Sequence, residues 1–169
     1  IHLTVSIGIA LFPADAKTAE DLIKRADLAL FNAKGKTGNG HLFFSREMEV
    51  AANKKMELLI KIREGLEQNE FIPFFQPKVD IVTGNVVGME ALARWRRGEA
   101  LVSPGDFIPV AEQSGLIIPL ARQIYQSAFD YTASLNRQGH DLKVSVNLAL
   151  PQLREENFVE ELLEIQRQS

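Results

Sequence analysis

Val86-Val87-Gly88-Met89-Glu90-Ala91-Leu92-Ala93-Arg94-Trp95 is the stretch on which the fold turns. Successive side chains of a strand point to opposite sides, so Val87, Met89, Ala91, Ala93 and Trp95 make one wholly apolar face. Val86, Gly88, Glu90, Leu92 and Arg94 make the other. The apolar face suits packing on helices. The opposite face then looks into a barrel interior or mouth, where a carboxylate and a guanidinium each need a partner. A divalent cation and a phosphate would serve, and so would neighbouring charges at a wet rim.

Outward from this strand the pattern is mixed α/β. Phe71 to Val79 reads as a strand, and the short turn Thr83-Gly84-Asn85 makes the pair an antiparallel hairpin. Helices are predicted over Asp106 to Gln113 and Leu116 to Arg137, a strand over Lys143 to Asn147, and a further helix from about Glu155. This alternation belongs to an α/β barrel or layered sheet. The strand-end Asn147 offers a hard oxygen ligand for Mg or Mn at the end where barrels carry their chemistry, and equally a cap for a following turn.

Toward the N-terminus, Ile1 to Leu11 reads as a strand ended by Pro13. Thr18, three residues ahead of Asp21, signals the start of a helix whose apolar positions Leu22, Ala26, Ala29, Leu30 and Ala33 run to Gly35. Leu42-Phe43-Phe44 reads as a closing strand. Residues 45–69 form a long charged helix with Met48, Ala52, Met56, Leu59, Ile62 and Leu66 at helical spacing, either joining two domains or opening the second.

Composition narrows the chemistry. With 46% apolar and 24% charged residues the chain is of globular type. It has no cysteine, so a metal would be held by oxygen or imidazole ligands. A net charge of −3 with no basic stripe excludes duplex nucleic acid as the expected partner. No apolar run is long enough to cross a membrane, and a cytoplasmic location is expected, with any anchor supplied from upstream. Gly35-Lys36-Thr37 would need a glycine in place of Leu30 to be a phosphate loop, and His2, His41 and His140 are scattered. Neither is read as a site.

Several motifs together resemble the opening of EAL domains: Phe75-Gln76-Pro77, Glu90-Ala91-Leu92-Ala93-Arg94-Trp95, Pro104 to Phe107 with Ile108-Pro109, Ala111-Glu112, Gly115-Leu116-Ile117 and Val146-Asn147-Leu148. Their order is specific, where a bare Glu-Ala-Leu would not be. The resemblance implies a TIM-like barrel that hydrolyses cyclic-di-GMP to the linear dinucleotide with Mg or Mn. It makes Glu90 and Asn147 metal ligands, and Gln76, Leu92 and Arg94 contacts to the dinucleotide, with Arg94 on a phosphate. Ala149 stands where the family commonly has Ser. A non-catalytic receptor for cyclic-di-GMP is the alternative.

Residues 1–44 resemble the end of a GGDEF, diguanylate cyclase-like, domain through Thr4-Val5-Ser6-Ile7-Gly8-Ile9-Ala10 and Ala26-Asp27-Leu28-Ala29-Leu30-Phe31-Asn32-Ala33-Lys34. The resemblance puts Lys34 near GTP phosphates. Thr37-Gly38-Asn39 replaces the family's Gly-Arg-Asn, which weighs against nucleotide binding and favours a regulatory role. The chain is therefore expected to hold the end of a GGDEF domain (1–44), a joining helix (45–69) and the first part of an EAL barrel (70–169). A barrel needs about 250 residues, and fewer than half as many follow residue 58. No hydrolysis by the isolated chain is expected, and homodimers through the long helix or the helix from Leu116 are.

Overall fold

The computed structural model describes residues 4–36 and 40–169. His2 and the Thr37-Gly38-Asn39 replacement lie outside them. The chain divides into two compact units, Ile1–Glu57 and Leu58–Ser169.

In the first unit β1 (Ser6–Ile9) and β2 (Gly40–Phe43) pair in parallel, connected through α1 (Ala19–Lys36). The described strand is shorter than the predicted Ile1 to Leu11. Thr18 starts α1 as its spacing requires: its hydroxyl accepts the Asp21 N–H at 3.1 Å. The helix buries Ala29 and Ala33. Gly8 is what lets it approach, because a Cβ there would lie 2.1 Å from the Ala26 carbonyl oxygen.

The long helix α2 (Arg46–Glu67) contributes its last turns to the second unit. Asn69 at φ 54° ends it in the left-handed conformation. The Glu70 N–H reaches the Gly65 carbonyl at 2.9 Å and the Asn69 N–H the Leu66 carbonyl at 3.3 Å, the paired bonds of a Schellman stop. The chain then enters β3 (Phe71–Val79) and turns back as β4 (Val86–Arg97), antiparallel as expected, with Phe71 opposite Trp95 and Gln76 opposite Glu90. Asp80 organises the turn. Its carboxylate accepts the Val82 and Thr83 N–H groups at 2.9 and 2.8 Å. Those bonds, the Thr83 N–H foremost, hold the Asp80 carboxyl below the usual range.

β4 is the central strand. β3 lines one edge, while β5 (Ala100–Val102) and β6 (Lys143–Val146) share the other. β5 is antiparallel and pairs at Trp95 to Arg97; β6 is parallel and pairs at Gly88 to Ala91. β5 was not predicted, being three residues long after a two-residue turn at Gly98-Glu99. Pro73 and Pro77 lie four apart on β3, so their nitrogens face one edge. The unbroken pairing from Phe71 to Lys78 makes that the edge away from β4.

Between the strands run α3 (Pro104–Ser114) and α4 (Ile117–Arg137), and after β6 come a 3-10 turn (Gln152–Arg154) and α5 (Phe158–Gln168). α3 starts two residues ahead of the predicted Asp106 because Pro104, lacking an N–H, suits the first helical position. α5 starts later than predicted, since the 3-10 turn takes up the chain before it.

The apolar face of β4 carries the core. Trp95, Phe71 and Phe107 pack ring on ring, with centroids 5.2 Å apart for Phe71–Trp95 and 5.6 Å for Trp95–Phe107. Ile62 from α2 and Leu120 and Ile124 from α4 close around them. The Trp95 indole N–H donates to Glu70 Oε2 at 2.8 Å, a charge-assisted bond at the core margin. Gly65 makes room for that indole: a Cβ there would stand 2.8 Å from Trp95 Nε1 and 3.2 Å from the Phe71 ring.

Alanine at position 65 gains about 1 kcal/mol of helix propensity and forces about 1–3 kcal/mol of overpacking against two rigid rings. Gly65→Ala is expected to lose up to about 2 kcal/mol net. Urea unfolding followed by the emission of Trp95, the single tryptophan, measures this, and raised stability refutes the seating of the indole over Gly65.

Candidate functional site

On the second unit's other face, the pairing aligns Gln76, Glu90 and Ser145 in one row across β3, β4 and β6. Residues in register share a face, so these three side chains leave the sheet on the same side, as do Leu92 and Arg94 further along β4. Asn147 follows β6 by one residue and continues the row's alternation. Its side-chain N–H donates to Glu90 Oε1 at 3.0 Å. The structure therefore brings together the two residues that sequence reasoning assigned to a common cation, Glu90 half-buried and Asn147 exposed.

Arg94 is half-buried, its guanidinium 5.5 Å from the Phe74 ring centroid and bonded at 2.8 Å to the Ala93 carbonyl of its own strand. Among the described residues no carboxylate pairs with it. Gln76 is exposed and Leu92 half-buried on the same face. One step toward the start of β4, where Gly88 carries no side chain, Lys78 Nζ crosses to Ser145 Oγ at 2.6 Å. Sequence reasoning missed that contact, which depends on a register no single stretch displays.

The donor set suits a hard divalent cation in kind: one carboxylate and one side-chain amide, adjacent, whose carbonyl oxygen turns inward by a flip of the amide plane. Among the described residues no group of three or more His, Cys, Asp or Glu side chains gathers.

Behind Asn147 lies a hollow of about 200 Å³ between the later half of β4 and α3 and α4. Its walls include Ile108, Leu120, Ile124, Tyr125 and Gln152, with Asn147 at its edge. Tyr125 is 2% exposed, and burial pushes its phenol above the ordinary range, opposed by the bond to Gln152. The hydroxyl is a donor throughout the neutral range. Lys34 is exposed on α1 in the first unit, and His41 lies on β2.

The comparisons with known proteins agree with this architecture. The chain matches the EAL domain family over residues 60–169 and the diguanylate cyclase GGDEF domain over residues 1–40. It belongs to the EAL domain family, preceded by the end of a GGDEF domain. One relative is the bifunctional diguanylate cyclase/cyclic di-GMP phosphodiesterase MucR of Pseudomonas aeruginosa, 35% identical over 95% of this chain and 24% of its own length. Another is the cyclic di-GMP phosphodiesterase PdeR of Escherichia coli K12, 32% identical over 98% of this chain and 25% of its own. The chain spans about a quarter of the length of these curated relatives. A solved structure of the PaMucR phosphodiesterase in complex with c-di-GMP superposes with a TM-score of 0.62 at 31% identity, covering 66% of this chain and 46% of that one. The fold is mixed α/β and is part of the TIM-like barrel of EAL domains. No helix among the described residues is long and apolar enough to cross a membrane.

Because its phenol is raised, Tyr125 favours the folded state fully below about pH 10, the unfolded value, and that contribution is lost as pH climbs through the higher folded value. Ultraviolet titration is expected to show a late phenolate phase that Tyr125→Phe abolishes. Ionisation of both tyrosines in the ordinary range refutes the burial of this hydroxyl.

Proposed function

We propose that the chain is part of a cyclic-di-GMP phosphodiesterase in which Glu90 and Asn147 hold a catalytic Mg or Mn and Gln76, Leu92 and Arg94 bind the dinucleotide. The observation that carries this reading is the approach of Glu90 on β4 and Asn147, one residue past the parallel strand β6, to 3.0 Å, on the face that also bears Arg94. In barrels of this kind the later ends of the strands carry the chemistry. The relatives named as phosphodiesterases and the structure holding c-di-GMP support the substrate class. Residues 1–44, with the lysine at position 34, are proposed as the end of a regulatory cyclase-like domain able to meet GTP phosphates, and residues 45–69 as the joining helix. Homodimers in the cytoplasm remain part of the same proposal.

The chain's own residues have distinct tasks. Arg94, fixed against Phe74, presents a planar guanidinium to a phosphate oxygen and offsets its charge through paired N–H donors. Leu92 supplies an apolar contact beside it, and Gln76 places an amide opposite Glu90 from the neighbouring strand. Glu90 and Asn147 supply oxygens to the cation, which when bound would polarise the phosphodiester and lower the pKa of water.

Hydrolysis of cyclic-di-GMP to the linear dinucleotide by the natural full-length protein carrying this chain tests the reading. Glu90→Gln is expected to lower kcat/KM by at least about 100-fold, with metal affinity falling in parallel. Arg94→Ala is expected to raise KM, because it removes a phosphate contact formed before reaction. Tight cyclic-di-GMP binding without hydrolysis at any Mg or Mn concentration would establish the receptor instead.

A further inference from the structure

Asn147 lies where the sheet no longer holds it. The ladder between β4 and β6 ends at Ala91 and Val146, and the next residue must carry a side chain to Glu90. Its backbone is held from behind. The Tyr125 hydroxyl donates to the Asn147 carbonyl at 3.0 Å and lies 3.1 Å from Gln152 Oε1, which also accepts the Ala149 N–H at 2.9 Å.

Tyr125 and Gln152 are each 2% exposed. Burying a hydroxyl and an amide is unfavourable unless both are satisfied, and a phenyl ring or a leucine would fill the space without that penalty. Here the two polar groups meet each other and the backbone on both sides of Leu148. The Tyr125 ring lines the adjoining hollow and stacks on Phe129, with centroids 6.4 Å apart, and its hydroxyl is aimed at the backbone after β6.

We propose that Tyr125 and Gln152 are positioning residues that clamp the backbone of residues 147–149, hold the Asn147 side chain within reach of Glu90, and so set the affinity of that pair for a divalent cation. The cation clause rests on the phosphodiesterase reading; the clamp itself does not. Both act through the backbone of residues 147–149.

The test uses the natural full-length protein carrying this chain and its variants Tyr125→Phe and Gln152→Leu, which keep size while removing polarity. In metal-free protein, amide exchange at Ala149 is expected to quicken about tenfold, the worth of one net hydrogen bond, while Val144 and Val146 in β6 exchange as before. In a Mn(II) titration read by paramagnetic broadening of the Asn147 side-chain amide signals, half-saturation is expected to rise about tenfold, as for groups that orient a ligand. Both variants matching the unsubstituted chain in exchange and titration would overturn the proposal. Equal acceleration throughout β6 would overturn it too, since the pair would then only support the fold. Mn(II) broadening nothing near residues 90 and 147 in the unsubstituted chain would sink the cation clause and the metal reading with it. Exchange at Ala149 would still decide the clamp.

Discussion

An indole N–H inside an aromatic core has to find an acceptor, and Glu70 provides it from the first residue past the stop of α2. The same residue accepts the Arg96 N–H through its carbonyl at 2.9 Å, and its carboxylate stands 3.8 Å from the Arg97 guanidinium, which lies over the Trp95 ring. One residue thus ties the end of a helix to the later half of the central strand. Gly65 is the counterpart of that arrangement, because only a residue without a side chain lets the ring reach its acceptor. With Trp95 seated, Phe71, Phe107 and Ile62 follow by packing, each contributing on the order of 1.5–3 kcal/mol by burial.

The seat of Trp95 also sets the direction of the opposite face. Side chains alternate along β4, so fixing Trp95 inward directs Glu90, Leu92 and Arg94 outward together. A slip of one residue would bury the carboxylate and guanidinium and expose the core. Neighbours on both edges oppose such a slip, with Gln76 and Ser145 each facing Glu90. The precision of the candidate site thus derives from the sheet's register.

Much of this was legible in the sequence because it is periodic. The alternation of β4, the Thr83-Gly84-Asn85 turn and the three-to-four spacing of α4 each carry their signal within one stretch. Glu90 and Asn147 were named together through the resemblance to EAL domains, not through any local period. What escaped lies between distant positions. Glu70 reads as a charged residue in a connection, Gly65 as a blemish in a helix, and Gln152 as part of the approach to α5, while each acts through a partner more than 20 residues away or across a turn. β5 is too short to show a period. Tyr125 reads as one more member of an apolar helix face, and nothing local distinguishes its hydroxyl from surplus polarity.

The two prolines of β3 have a meaning beyond the fold. A strand whose outer margin is bare can recruit a strand from another molecule, and repeated recruitment leads to fibres. Such recruitment needs a run of amide donors, and Pro73 and Pro77 delete two of them from that margin at alternate bonding positions. Their rings also bulk out the approach. The prolines thus leave the ladder to β4 intact while making the other margin of β3, wherever it is uncovered during folding, a poor template for cross-β growth.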